Sequence, residues 1–287
     1  PAVMPVVTGK LPATKTLGED ANGDLEVKQG FWRQSKWQLS LRNVSTIQTL
    51  FRALKETSQN PKAAVIRGAL RDHVNPDGVI HLRKDAAKWG DTAHFEECPR
   101  LWVMIDLDKL PLDSIDLIRN PGATVVRAIK KFLPECYQGV SFAWQLSSSA
   151  GIGEDTGLLS VHIWFVLDRP VGQDELKAYH ELKAPDVDRA LFRTVQVHYV
   201  AAPIFEDGIT DHLPKRIGLV ELQADKVHMP ELPPEAIASA YRTIGSGPTG
   251  TVHGFEAKLK LLGDGEGLGG FHAVLIGAVA SYVYGKF

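Results

Sequence analysis

The sequence predicts an α/β (α+β) protein in which a mixed β-sheet is flanked by helices, followed by a C-terminal helical extension. Three observations carry this expectation. Apolar runs with strand alternation, among them LWVMIDLDKL at 101–110 and LLSVHIWFVL at 158–167, are interleaved with stretches of helical spacing. Two of the runs, VSFAWQLSS and LLSVHIWFVL, are joined by a loop of small residues and read as an antiparallel hairpin. Finally, 44% of the 287 residues are hydrophobic and 23% charged, enough apolar material for one large core or two domains.

The elements follow in order. Residues 1–30 read as an irregular arm containing Gly, Asp and Lys with little apolar periodicity. Over 44–57, Val44, Ile47, Leu50, Phe51 and Leu54 recur at helical spacing and predict a helix with one buried face. KAAVIRGAL (62–70) reads as a strand and VIHLR (79–83) as a shorter one in a basic stretch. The strand at 101–110 is next, then a helix over 123–133, the hairpin, and a helix over 173–182. A strand-like alternation through Leu191, Val195, Val197 and Tyr199 completes a domain spanning 1–230. Residues 231–287 differ in character. PELPPEAIASAYRTI is a proline-led helix and GSGPTGTVHG a flexible connector. The closing GFHAVLIGAVASYVYGKF is too short, and too interrupted by His272, to span a bilayer. Beginning at Pro1 and stopping inside this apolar run, the chain reads as a piece of a longer protein.

Cys98 and Cys136 are far apart and form no C-x-x-C pattern, which argues against a zinc ribbon or a disulfide framework and for a reducing cytoplasm. The net charge of −2 is unlike that of a typical nucleic-acid binder. Its distribution is uneven: residues 1–100 carry 15 Lys+Arg against 11 Asp+Glu, and residues 101–230 carry 13 against 18. Arg67, Arg71, Arg83, Lys84, Lys88 and Arg100 are therefore candidate contacts for a polyanion, with Arg127, Lys130 and Lys131 behind them. Trp32, Trp37 and Trp89 are candidates for base stacking or for the core.

The acidic half holds the candidate chemistry. Along a strand, residues i and i+2 share a face about 6.6 Å apart. Met104, Asp106 and Asp108 thus share one face of the 101–110 strand, and Val103, Ile105 and Leu107 the other. Two carboxylates so placed raise each other's pKa unless a cation or basic group lies between them, and a divalent metal is the simplest such cation. The alternative is a polar strand end beside Lys109. On the 158–167 strand, Ser160, His162 and Trp164 occupy one face. Ser147, Ser148 and Ser149, in the loop before it, offer hydroxyls and backbone N–H groups able to cradle phosphate, or form an ordinary loop. Asp188 is either a third carboxylate or a helix cap or solvated turn.

These residues resemble the archaeo-eukaryotic primase superfamily, especially the primase-polymerases of phages and plasmids. Its three motifs are an apolar run ending in D-x-D or D-x-E, a Ser-x-His on a later strand, and an apolar residue followed by an acid. IDLD, SVH and VD occur here in that order, at Asp106/Asp108, Ser160/His162 and Asp188. Coverage runs from about residue 30 to about residue 225. The resemblance implies a primase catalytic core with a mixed, RRM-like sheet. It implies that Asp106, Asp108 and Asp188 hold two Mg2+ or Mn2+ ions, and that His162, beside Ser160, contacts the triphosphate of the incoming nucleotide while the serine loop closes over the phosphates. The family places basic residues soon after the third motif. Here Arg193 is followed by Gln196 and His198, leaving Lys215 and Arg216 as the expected triphosphate cations.

The implied activity is a DNA primase/polymerase that makes primers on a single-stranded DNA template from nucleoside triphosphates in phage or plasmid replication. The implied companion is a helicase domain in the same longer polypeptide, in the cytoplasm of a bacterial host. Two other readings stay open. A strand-nicking initiator typically needs paired metal-binding histidines, and no H-x-H occurs here. A non-catalytic origin-binding module would bind DNA without incorporating nucleotide.

Overall fold

The computed structural model describes residues 2–84, 92–152, 157–184, 187–233 and 235–237. The chain divides into two units, Pro1–Glu231 and Leu232–Phe287. The expected connector and apolar ending, together with Lys88 and Trp89, lie outside the described residues. Along the first unit run β1 (Val3–Gly9), β2 (Thr16–Glu19), β3 (Leu25–Gln29), β4 (Trp37–Asn43), α1 (Ile47–Ser58), β5 (Ala63–Val65), β6 (Ala69–Leu70), β7 (Phe95–Glu96) and β8 (Arg100–Pro111). Then come α2 (Pro121–Phe132), β9 (Phe142–Leu146), β10 (Leu158–Val171), α3 (Gln173–Lys183), β11 (His198–Tyr199), β12 (Ile204–Phe205) and β13 (Ile217–Val220). The architecture is mixed α and β, with several sheets and few helices.

Two four-stranded sheets dominate, ordered β11-β5-β1-β4 and β13-β9-β10-β8. They share a core with α1. Leu50 and Leu54 of α1 pack with Met4 and Val6 of β1, Val65 of β5, Trp102 and Met104 of β8, and Trp164 and Val166 of β10. Thr46 caps α1 in a reciprocal pair with Thr49, which satisfies the first free backbone N–H groups and starts the helix after Val44. Pro121 opens α2, where its missing N–H costs nothing. A second cluster, built on Val7, Ala64, Ile66 and Phe95, covers the opposite face of the first sheet.

Several expectations are corrected. Residues 1–30 are not an irregular arm: β1 lies in the interior of a sheet, paired with β4 from Val3↔Asn43 to Gly9↔Trp37 and with β5 on its other edge. β2 and β3 form a hairpin around Asn22 and Gly23, with Gly23 at φ +85°. The strand expected over 62–70 splits into β5 and β6, and VIHLR supplies only a bridge from Ile80 to Trp37. In place of a strand after Asp188 there is a short 3-10 helix, Arg189–Phe192, and then β11.

The sheet carrying β8 and β10 is not mixed either, for its three named pairings are all antiparallel. The order β8-β10-β9 matches the first three strands of a βαββαβ unit. In that unit the fourth strand adds beside the first, whereas here β13 adds beside β9.

Arg67 and Arg100 are not surface cations. Both are buried. Arg67 donates to the Trp102 and Val171 carbonyls at 2.8 and 3.0 Å, and Arg100 to the Arg67 and Gly68 carbonyls at 2.6 Å each. Their guanidinium groups satisfy backbone acceptors where irregular segments meet β8, and burial pulls the pKa of Arg67 down to about 10. Trp37 is likewise a core residue, while Trp32 is exposed. Among the described residues no helix is long and apolar enough to cross a membrane.

Candidate functional site

β8 and β10 pair in a register that sets Asp106 opposite His162 and Met104 opposite Trp164. Trp102, Met104, Trp164 and Val166 extend that face into the core, so the polar residues sit where the buried face runs out toward its open end. His162 Nε2 lies 3.6 Å from Asp106 Oδ1, and both side chains retain some exposure, 15% and 22%. The register then shifts: between Leu110 and Leu107 β8 holds one residue more than β10 holds between Leu159 and Val161. This β-bulge puts Lys109 at φ 53°, a rare conformation for a side chain of its length. It also brings Ser160 against Asp108. The Ser160 hydroxyl donates to Asp108 Oδ1 at 2.7 Å and accepts the Lys109 N–H at 3.0 Å.

Burial raises the Asp106 pKa above the ordinary carboxylate range. His162 opposes the rise, and Asp108 and Asp188 add to it. Asp188 therefore reaches the site by its charge. Its carboxylate is exposed and caps the 3-10 helix, with Oδ1 accepting the Ala190 N–H at 2.8 Å. Leu191 of the same helix lines the cavity described next. Among the described residues no three His, Cys, Asp and Glu side chains converge closely enough to hold a metal ion. The pair Asp106 and Asp108 nonetheless suits a hard divalent cation in kind, since both offer carboxylate oxygen donors at the cavity.

A cavity of about 250 Å³ is lined by Asp106, Asp108 and His162, but not by Ser160 or Asp188. Asp106, Asp108 and His162 form one wall, and Ser147, Ser148 and Ser149 form another. The serine loop is ordered by its own backbone. Ser147 N–H donates to the Ser160 carbonyl and Ala150 N–H to the Ser147 carbonyl, both at 3.0 Å. Gly151 turns the chain at φ +74°. Five buried polar atoms on residues lining the cavity, Gln145 Oε1, Ser147 Oγ, His162 Nδ1 and both ring nitrogens of His198, have no hydrogen-bond partner among the described residues. Such atoms are costly to bury in a site that binds nothing.

Lys215 and Arg216 do not line this cavity. The Lys215 ammonium lies 5.8 Å from the centre of the Trp144 ring. Arg216 is paired with Asp211 at 2.5 Å and donates to the Ser147 carbonyl at 3.2 Å, so it braces the serine loop from behind. The cavity instead contains residues that sequence reasoning missed: Lys15, Phe31, Gln145, Gln196, His198 and Tyr199. His198 is fully enclosed between the Trp102 and Trp164 rings. Burial, then the charges of Arg67 and His162, push its pKa down to about 3, so it is neutral in the folded protein. Phe31 and Tyr199 stack with ring centres 3.9 Å apart and planes 12° from parallel. The Asn22-Gly23 pair between Leu17 and Val27 is a hairpin signal that would have revealed order in this part of the chain.

No protein-family model, no curated protein and no solved structure matches the chain.

Proposed function

We propose that the chain is the catalytic domain of a DNA primase-polymerase, joining nucleotides on a single-stranded DNA template by metal-dependent nucleotidyl transfer. The observation that carries the reading is the convergence of the Asp106/Asp108 pair, the His162 imidazole and the serine loop on one cavity. The pairing of β10 with β8 and with β9 brings the three together, and all line the same cavity.

Phosphoryl transfer requires mainly positioning and neutralisation of charge. Mg2+ or Mn2+ ions bound at the carboxylates would neutralise phosphate charge and lower the pKa of the attacking 3′-hydroxyl. Asp106 and Asp108 are the residues to hold them, with Asp188 adding negative potential. Ser160 fixes one Asp108 oxygen and leaves the other for a ligand. His162 offers its imidazole to a phosphate oxygen from beside Asp106, and Ser147–Ser149 offer hydroxyls across the cavity.

The test is incorporation of labelled nucleotide on single-stranded DNA, with and without a primer, supplying ribonucleotides and deoxyribonucleotides separately with Mg2+ or Mn2+. The protein should extend or initiate strands, and the double variant Asp106→Ala, Asp108→Ala should lose at least about 100-fold in rate while melting as a folded protein. Normal synthesis by that variant would end the proposal. Template binding with no metal-dependent incorporation would favour the non-catalytic module.

A further inference from the structure

We propose that Lys15 is the cation that receives the phosphate tail of the nucleotide in this cavity. The inference rests on the reading of the cavity as a nucleotide site, and it assigns to the N-terminal segment a role that the sequence places at Lys215 and Arg216.

The position of Lys15 is built rather than incidental. Thr14 Oγ1 donates to the Ala201 carbonyl at 3.1 Å, and the Lys15 carbonyl accepts the Ile204 N–H at 3.0 Å. β2 then continues parallel to β12, so the backbone on both sides of Lys15 is pinned to residues 201–205. From there the side chain reaches into the cavity. Its ammonium donates to Ser149 Oγ at 2.9 Å and lies 5.5 Å from the centre of the Phe31 ring. Among the described residues it forms no ion pair. Arg216, by contrast, is paired with Asp211 and does not line the cavity.

An ammonium ion held on a neutral hydroxyl keeps two of its three donors for a ligand. Held on the serine loop in a cavity that two carboxylates also line, it favours a ligand negative enough to be drawn to Lys15 while sharing a cation with Asp106 and Asp108. A polyphosphate satisfies both demands, and lysine binds phosphate as a compact point charge. The aromatic stack of Phe31 and Tyr199 beside it suits the ring end of the same molecule.

Binding of inorganic tripolyphosphate, adenosine triphosphate and adenosine to the full 287-residue chain with Mn2+, measured by titration calorimetry, tests the assignment. Lys15→Met keeps the apolar stem and removes the charge. It should weaken both triphosphates about tenfold or more and leave adenosine unchanged, because a charge-assisted hydrogen bond is lost. Lys15→Arg should restore most of the affinity, and Lys10→Met, outside the cavity, should change nothing. Thermal melting of each variant separates loss of binding from loss of fold, and Ser149→Ala, which frees the ammonium without removing it, gives a second variant with a smaller expected loss. Triphosphate binding by Lys15→Met equal to that of the natural chain, or no triphosphate binding by the natural chain, overturns the proposal. If triphosphate binding depends on Lys15 but no strand synthesis is found, the phosphate site stands and the polymerase reading falls.

Discussion

Asp106 is held in the site against an electrostatic cost. Burial is the largest cause, His162 offsets part of it, and Asp108 and Asp188 add to it, so its carboxyl holds a proton to higher pH than an ordinary aspartic acid. A folded-state pKa above the unfolded value means that the native protein binds more protons than the unfolded chain across that window, and the stability Asp106 takes away grows as pH rises through it. Asp106→Asn removes the cost. At neutral pH this variant should be more stable than the natural chain by about 0.5–2 kcal/mol, and the gain should shrink as pH falls into the ordinary carboxylate range. Added Mn2+ should raise the melting temperature of the natural chain and barely affect the variant, because the ion and the proton compete for one carboxylate. A variant that melts lower than the natural chain at pH 7 would show that Asp106 is held by contacts rather than opposed by charge.

At the scale of elements, the β8–β10 pair was the most legible part of the sequence. Period-2 alternation set Asp106 with Asp108 on one strand face and Ser160 with His162 on another, and the register between the two strands, which the sequence did not announce, places Asp106 against His162. The hairpin and the three helices were legible too, from apolar spacing. The bulge was not, because an extra residue in one strand leaves no composition signal when Asp108 and Lys109 are both ordinary at a strand end. Yet the bulge is what turns Ser160 onto Asp108. Ser160→Ala should weaken Mn2+ binding and strand synthesis by about 10–100-fold, the usual effect of removing a group that orients a metal-binding carboxylate. Its melting temperature should move little, since among the described residues the Ser160 hydroxyl bonds only to Asp108 and the Lys109 N–H. Metal affinity unchanged in this variant would mean that Asp108 needs no such support.

At the scale of the whole molecule, the site is assembled from segments nearly the full length of the first unit apart: Lys15 and Phe31, then Asp106, then Tyr199. Local periodicity has no means of announcing such long-range convergence, and the short strands β2 and β3 broke up the apolar pattern that would have marked residues 1–30 as structured. The consequence is physical. Met4 and Val7 are fully buried on opposite faces of β1, and β1 supplies the ladder between β4 and β5. An arm could be removed at small cost; an interior strand cannot, because its loss opens two sheet edges and uncovers α1. Deletion of residues 2–30 should therefore abolish the cooperative thermal transition, followed by near-ultraviolet circular dichroism of the buried Trp102, Trp144 and Trp164. If instead the shortened protein melts cooperatively within a few degrees of the full chain, β1 is dispensable, and the core shared by α1 and the two sheets does not depend on it.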